Sequence, residues 1–175
     1  MILYLFKIIF VLYINIFYYL REKNYELTVY IKPILKYFES TKSNLILYVD
    51  DNEILRKSVK SQILSYCDFI NDADVICCKD GVEAIYILYI DQISKNRIKI
   101  IVSDDKMNLI DGEEIYDFID KYSKNGKLRK IPFVLCDSSA SGGENVKKIN
   151  DYYFTIKKNP KKEEILRLLE IARIK

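Results

Sequence analysis

Continuous apolar runs alternate with helix-like segments through most of the chain. The run NLILYV is as hydrophobic as a strand that is buried on both faces of a parallel sheet. In the segment that follows, EILRKSVKSQILSY, the apolar residues Leu55, Val59 and Ile63 are four positions apart and share one helix face. Either Asp51 or Asn52 can cap the start of this helix. The first unit is therefore predicted to be a strand followed by a helix.

The strand-then-helix pattern repeats four more times. It appears in DVICC then DGVEAIYILYI, in IKIIVS then DGEEIYDFIDKYS, in PFVLC then ENVKKIN, and in YYFTI then KKEEILRLLEIARI. Five such units predict an α/β fold with a doubly wound, five-stranded parallel sheet of strand order 2-1-3-4-5 and helices on both faces. The fourth helix should be short, because SSASGGENVKKIN contains two glycines and little helical period.

The N-terminal segment 1–20, MILYLFKIIFVLYINIFYYL, is hydrophobic apart from one Lys and one Asn. Its length is about that needed to cross the hydrocarbon core of a bilayer. We therefore expect an N-terminal hydrophobic helix that serves as a membrane anchor, with Arg21 and Lys23 favouring a cytoplasmic location for the rest of the chain. A buried helix and a fragment of a larger protein are the open alternatives. Residues 21–43 are predicted to form a polar helical linker that is interrupted at Pro33.

The amino-acid composition excludes several kinds of functional site. The 175 residues include 28 Lys plus Arg and 25 Asp plus Glu, and the excess of three positive charges lies within residues 1–43. Residues 44–175 carry equal numbers of basic and acidic residues, so they lack the positive charge that is typical of nucleic-acid binding. The chain contains no His, so it has no imidazole base, imidazole metal ligand or phospho-His of its own. Any phosphoryl group must arrive from another molecule. The cysteines show no C-x-x-C spacing and are interpreted as reduced core thiols: Cys67, Cys77, Cys78 and Cys136.

Acidic residues are concentrated at the ends of two predicted strands. Asp50 and Asp51 follow the first strand, and Asp104 and Asp105 follow the third. These strands are neighbours in the expected order, and functional groups of such sheets lie beyond the carboxyl ends of the strands. Packed carboxylates repel one another unless a cation joins them, and oxygen-only ligands suit Mg²⁺. A carboxylate beside Mg²⁺ can also attack phosphorus to form an aspartyl phosphate. The pattern therefore predicts a Mg²⁺ site that accepts a phosphoryl group.

Three motifs carry a family resemblance. The segments LYVDDNEILR at 47–56, KDGVEA at 79–84 and DDKMNLIDG at 104–112 resemble the successive signatures of response-regulator receiver domains of two-component phosphorelays. The first motif is most similar to receivers attached to hybrid sensor kinases. The resemblance covers 44–175 and implies a flavodoxin-like fold and a cytoplasmic signalling domain. Such a domain is not an enzyme, since it promotes only its own aspartyl phosphorylation and dephosphorylation.

The resemblance also implies roles for single residues. Asp104, three positions before Met107, matches the phosphoacceptor. Asp50 and Asp51 match the acidic pair that binds Mg²⁺ together with the acceptor, and the backbone carbonyl of Lys106 matches a further metal ligand. The phosphoryl donor would be a phospho-His on a sensor histidine kinase or a histidine phosphotransfer protein. The output would be contact with another protein, an intermediate step of the relay, or a kinase in a longer protein of which this chain is a fragment, with no role for nucleic acid.

The family also has a Lys at the end of the fifth strand that contacts the phosphoryl group. Lys158 matches this position, and Lys157 is the alternative if the strand is shifted by one residue. The family follows this Lys with Pro after a cis bond, whereas this chain has Asn159. A cis bond before a residue other than Pro costs about 2.5–4 kcal/mol, so we expect a trans bond and a less well aimed Lys158 ammonium.

The fourth strand departs further from the family pattern. Without a gap, the position of the phosphate-sensing hydroxyl falls on Asp137, whose charge would repel a phosphoryl group. If the strand slips by one residue, Ser138 supplies the hydroxyl instead. These departures leave open a second function, a degenerate receiver that binds proteins without being phosphorylated. A Mg²⁺-dependent phosphohydrolase is a third hypothesis, but DDNEI lacks the D-x-D spacing of such enzymes.

Overall fold

A computed structural model describes residue 37 and residues 44–94, 96–138 and 146–174. These residues form six β-strands, four α-helices and one short 3-10 helix, Asp72–Asp74. The strands are β1 (Leu45–Val49), β2 (Val75–Cys78), β3 (Ile98–Asp104), β4 (Phe133–Asp137), β5 (Val146–Lys148) and β6 (Tyr153–Lys157). The helices are α1 (Glu53–Tyr66), α2 (Gly81–Ile93), α3 (Gly112–Lys124) and α4 (Lys162–Ile171).

Five strands make a parallel sheet in the order β2-β1-β3-β4-β6. Because β6 is the fifth of the predicted strands, this order confirms the predicted doubly wound sheet of order 2-1-3-4-5. The register pairs Val49 of β1 with Ser103 of β3, and Asp104 with Cys136 of β4. The residues that directly follow β1 therefore emerge beside the end of β3.

Buried side chains on the two faces of the sheet form two separate layers. One layer packs against α1 and α4 and includes Val59 and Ile165. The other packs against α2 and α3 and includes Ile87 and Ile115. Successive residues of β1 and β4 alternate between the layers, which explains why the buried parts of these strands are continuously apolar in sequence. The four cysteines are free, with Cys67, Cys78 and Cys136 buried and Cys77 partly buried.

Polar side chains cap the N-termini of three helices, in the loops that follow β1, β2 and β3. Asn52 accepts hydrogen bonds from the amides of Ile54 and Leu55, so Asn52 caps α1. Asp80 caps α2 and Asp111 caps α3 in the same manner. Each cap satisfies amide groups that have no partner within the helix.

The edge strand β5 differs from the sequence prediction. The segment ENVKKIN was expected to form the fourth helix, but Val146–Lys148 pairs antiparallel with β6. The chain reverses at Asn150, whose side-chain oxygen accepts a hydrogen bond from the Tyr152 amide at 2.8 Å, and the Ile149 amide donates to the Tyr153 carbonyl at 2.9 Å. Turn chemistry and cross-strand bonds thus satisfy a backbone that has too few apolar positions to bury a helix face. The helix prediction is wrong for 146–148, and residues 139–145 lie outside the described residues.

The predictions of an N-terminal hydrophobic helix and membrane anchor over 1–20 fall outside the described residues, and only Tyr37 of the predicted linker is described. Within the described ranges, none of the helices has both the length and the apolar character that a membrane span requires.

Candidate functional site

Three carboxylates meet at the carboxyl end of the sheet. Asp50 and Asp51 follow β1, and Asp104 is the last residue of β3. Each offers an oxygen that lies within 4.8 Å of those of the other two. Asp50 and Asp104 are 1% and 3% exposed, whereas Asp51 lies at the surface. An oxygen-only donor set that is open to solvent on one side fits Mg²⁺, which retains several of its waters.

Asp50 is held from two sides. One carboxylate oxygen accepts a hydrogen bond from the Tyr48 hydroxyl at 3.1 Å, and the other accepts from the Asn52 amide at 2.8 Å. Burial raises the pKa of Asp50, the Asn52 hydrogen bond opposes that shift, and the Asp104 charge adds to it. The carboxylates of the site therefore repel one another, and a bound cation would reduce that repulsion.

Sequence reasoning missed Tyr48. Its pKa is raised above its ordinary value, first by burial and then by the charges of Cys136 and Asp50. A signal was available, since residues i and i+2 of a strand point to the same face and Tyr48 stands two positions before Asp50. The phenol is a polar group within an otherwise apolar run, so it needed a partner near the strand end.

Lys158 supplies the positive charge at the site. Its ammonium lies 2.7 Å from Oδ2 of Asp104, with the Lys side chain 32% exposed and the Asp side chain 4% exposed. Burial lowers the pKa of Lys158, but the Asp104 hydrogen bond and the charges of Asp104, Asp50 and Asp51 outweigh it and raise the pKa. The ammonium therefore partly neutralises the carboxylates.

The Lys158 ammonium reaches Asp104 although Asn159 follows it, and its aim at a phosphoryl group stays a prediction. The described residues contain no cis peptide bond, as expected before Asn159, and Asn159 adopts a left-handed conformation with φ of 62°. Asn tolerates this region better than most residues, so the chain turns after Lys158 without a cis bond. Lys157, the alternative, is exposed at the end of β6.

Gly112, the first residue of α3, packs against the backbone of Asp104. A Cβ atom at this glycine would overlap both the backbone carbonyl of Asp104 and Cδ1 of Leu135. The Gly112 amide donates to the Asp105 carbonyl at 2.9 Å, and the Ser103 hydroxyl donates to the Asp104 carbonyl at 2.9 Å. The start of α3 thus packs directly on the strand end that carries Asp104. From the sequence, the Asp-Gly pair here indicated only a turn and a helix start.

The remaining predicted site residues lie near this edge. The exposed Lys106 side chain contacts Asp111 at 3.2 Å and Asp105 at 3.6 Å, so its ammonium is directed to the loop acids. Asp137 is the half-buried last residue of β4, and Ser138 is exposed in the turn that follows. The metal-binding role of the Lys106 carbonyl and the hydroxyl role of Ser138 stay predictions.

The sequence matches no protein-family model and no curated protein. Solved structures, however, share the fold. The receiver domain of the histidine kinase CKI1 from Arabidopsis thaliana, crystallised with Mg²⁺ and BeF₃⁻, is 18% identical with a TM-score of 0.56, over 77% of this chain and 92% of that one. A two-component response regulator from Legionella pneumophila is 19% identical with a TM-score of 0.55, over 74% of this chain and 98% of that one.

The chemotaxis protein CheY4 from Vibrio cholerae is 20% identical with a TM-score of 0.51, over 74% of this chain and 98% of that one. The strand order of the parallel sheet and the helices on both its faces agree with this likeness. The described part of the chain therefore has the flavodoxin-like fold of CheY-like response-regulator receiver domains.

Proposed function

We propose that this chain is a phosphoacceptor receiver domain of a two-component phosphorelay, with Asp104 as the acceptor. The observation that carries the proposal is the grouping of Asp50, Asp51 and Asp104 within 4.8 Å, with the Lys158 ammonium 2.7 Å from the proposed acceptor. Ligands of doubly wound sheets bind outside the carboxyl ends of the strands, and phosphoryl transfer relies on a metal ion and a positive side chain to offset the phosphoryl charge.

Each residue has a defined part in the proposed transfer. An oxygen of the Asp104 carboxylate attacks the phosphorus of a phospho-His, so that a phosphorus–oxygen bond forms while the phosphorus–nitrogen bond breaks. The Lys158 ammonium moves from the carboxylate to the phosphoryl oxygens and offsets their charge. Asp50, Asp51, Asp104 and the Lys106 carbonyl would hold Mg²⁺, which reduces charge repulsion during the attack.

The donor would be a sensor histidine kinase or a histidine phosphotransfer protein, because this chain contains no His. The domain would promote only its own phosphorylation and dephosphorylation and would signal by contact with another protein. Free cysteines and the absence of His on the chain fit a cytoplasmic relay partner that receives its phosphoryl group in trans.

The test is Mg²⁺-dependent binding of beryllofluoride, a phosphoryl mimic, to the full-length chain, followed by NMR. Wild type should bind saturably, and Asp104→Asn should not. Asp105→Asn is the matched control, since it removes the adjacent carboxylate, which is partly exposed and lies outside the three-acid group. Equal binding by wild type and Asp104→Asn would refute acceptance at Asp104.

A second function, a degenerate receiver that binds proteins without phosphorylation, is favoured by Asp137 in β4 and by the strand Val146–Lys148 in place of the expected helix. An acid next to the acceptor strand would oppose a phosphoryl group. Asp137→Thr separates the two functions. If beryllofluoride binds only to Asp137→Thr and not to wild type, the degenerate function is the correct one.

A further inference from the structure

A second cluster of buried charge lies at the opposite end of the sheet from the three acids. Asp91, near the end of α2, is 1% exposed. Its carboxylate accepts hydrogen bonds from the amide of Arg97 at 2.6 Å, the amide of Ile98 at 3.2 Å and the guanidinium of Arg129 at 3.1 Å. Because Ile98 begins β3 and Asp104 ends it, the two clusters are separated by the length of a strand.

Tyr37, from the segment before β1, is inserted into this cluster. The Tyr37 side chain is 0% exposed, and its hydroxyl donates to Oδ1 of Asp91 at 3.0 Å and lies 2.7 Å from the Ser94 hydroxyl. The guanidinium carbon of Arg97 stands 4.2 Å from the ring centroid, and an Arg97 N–H donates to the Tyr37 carbonyl at 2.6 Å. Hydroxyl, ring and backbone of one residue are thus each recognised separately.

The charges of the cluster explain why a tyrosine fits there. A buried carboxylate needs donors on both oxygens, and the phenol supplies one of them. A buried guanidinium is stabilised by an aromatic face and by a carbonyl acceptor, and Tyr37 supplies both to Arg97. Removing Tyr37 would leave Asp91 and Arg97 with fewer partners in a site shielded from solvent, which is costly for charged groups.

We propose that Asp91, Ser94 and Arg97 form a docking site for the segment that precedes β1, with Tyr37 as its anchor. The folded unit then extends to the N-terminal side of residue 44, where the sequence had indicated that the domain begins. Tyr37 lies at the end of the sheet opposite the proposed acceptor. This proposal is independent of the proposed function.

The test is limited trypsin digestion of the full-length chain, with cleavage after Lys36 as the readout. A protease needs several residues on each side of the cleaved bond in an extended conformation, so an anchored Tyr37 protects the bond after Lys36. When opening is fast, the cleavage rate follows the population of the open form. Tyr37→Phe, which loses the hydroxyl bonds, should raise that rate about tenfold or more.

Tyr37→Ala should raise cleavage after Lys36 further, by more than it raises cleavage within residues 44–174. The control is Tyr152→Ala, which makes the same change at a tyrosine that is 40% exposed and should leave the Lys36 rate unchanged. If Tyr37→Ala does not fold, the proposal is tested by comparing the rate of cleavage after Lys36 in Tyr37→Phe with that in wild type. Equal cleavage after Lys36 in wild type and Tyr37→Phe would overturn the proposal.

Discussion

The pairing of Lys158 with Asp104 leads to a prediction about stability and Mg²⁺ together. Lys158→Met keeps most of the side-chain length and removes the charge, so three carboxylates would face one another without a cation. In the absence of Mg²⁺ we expect the variant to be less stable than wild type. Mg²⁺ should bind the variant more tightly, because the ammonium no longer repels the ion.

The size of the effect follows from the burial of the pair. Removing one partner of a fully buried ion pair costs about 3–5 kcal/mol. Because the Lys158 side chain is 32% exposed and only the Asp104 side chain, at 4%, is fully buried, solvent screening reduces this cost to about 1–3 kcal/mol. Removing a cation a few ångströms from the ion should strengthen Mg²⁺ binding on the order of tenfold, which adds about 1.4 kcal/mol to the stability at saturating Mg²⁺.

The assay is urea unfolding of the full-length chain over a range of Mg²⁺ concentrations, monitored by circular dichroism. Lys157→Met is the matched control, because it removes a neighbouring lysine that is exposed at the end of β6. The control should lose less than about 0.5 kcal/mol, as expected for an exposed position. The reasoning would be refuted if Lys158→Met bound Mg²⁺ more weakly than wild type, or if Lys157→Met showed the larger effect.

Three other predictions follow from buried groups. Gly112→Ala should cost about 1–3 kcal/mol in urea unfolding, because its Cβ overlaps the Asp104 carbonyl; an unchanged midpoint would contradict the close packing. Burial raises the pKa of Glu83 to about 7 from an ordinary 4.5, so the folded state holds its proton more tightly than the unfolded state does. Stability should therefore fall by about 3 kcal/mol as pH rises from 4.5 to 7, and Glu83→Gln should flatten this dependence; an equally steep profile in the variant would contradict the assignment. Tyr48→Phe should weaken Mg²⁺ binding about tenfold by titration, because Asp50 loses a hydrogen bond that orients it, and undiminished affinity would exclude that role.

Much of the fold and part of the site could be predicted from local patterns. A strand buried on both faces must be apolar throughout, and a helix packed on one face must repeat its apolar residues every three or four positions. The sequence patterns of β1 and α1 were therefore sufficient to predict these two elements. The positions of Asp50, Asp51 and Asp104 followed from their place after strands, because parallel strands bring their carboxyl ends to one edge.

Other features depend on competition between weak local preferences. The segment Val146–Lys148 has too little apolar period to require a helix, and its backbone instead pairs with β6 after a turn at Asn150. Asn159 similarly adopts a positive φ that residue type permits but does not require. For Val146–Lys148 the neighbouring strand decides the conformation, since hydrogen bonds to β6 determine which local structure is more stable.

By itself, then, the sequence determined the alternation of strands and helices, their order and the edge at which the acids gather. Only the tertiary structure decided that the Lys158 ammonium lies against the Asp104 carboxylate and that Tyr37 anchors on Asp91. The physical reason is distance along the chain. Periodicity records which side of an element is buried, whereas a contact between residues 54 positions apart, as in the Lys158 and Tyr37 pairs, depends on sheet register and packing that no local pattern encodes.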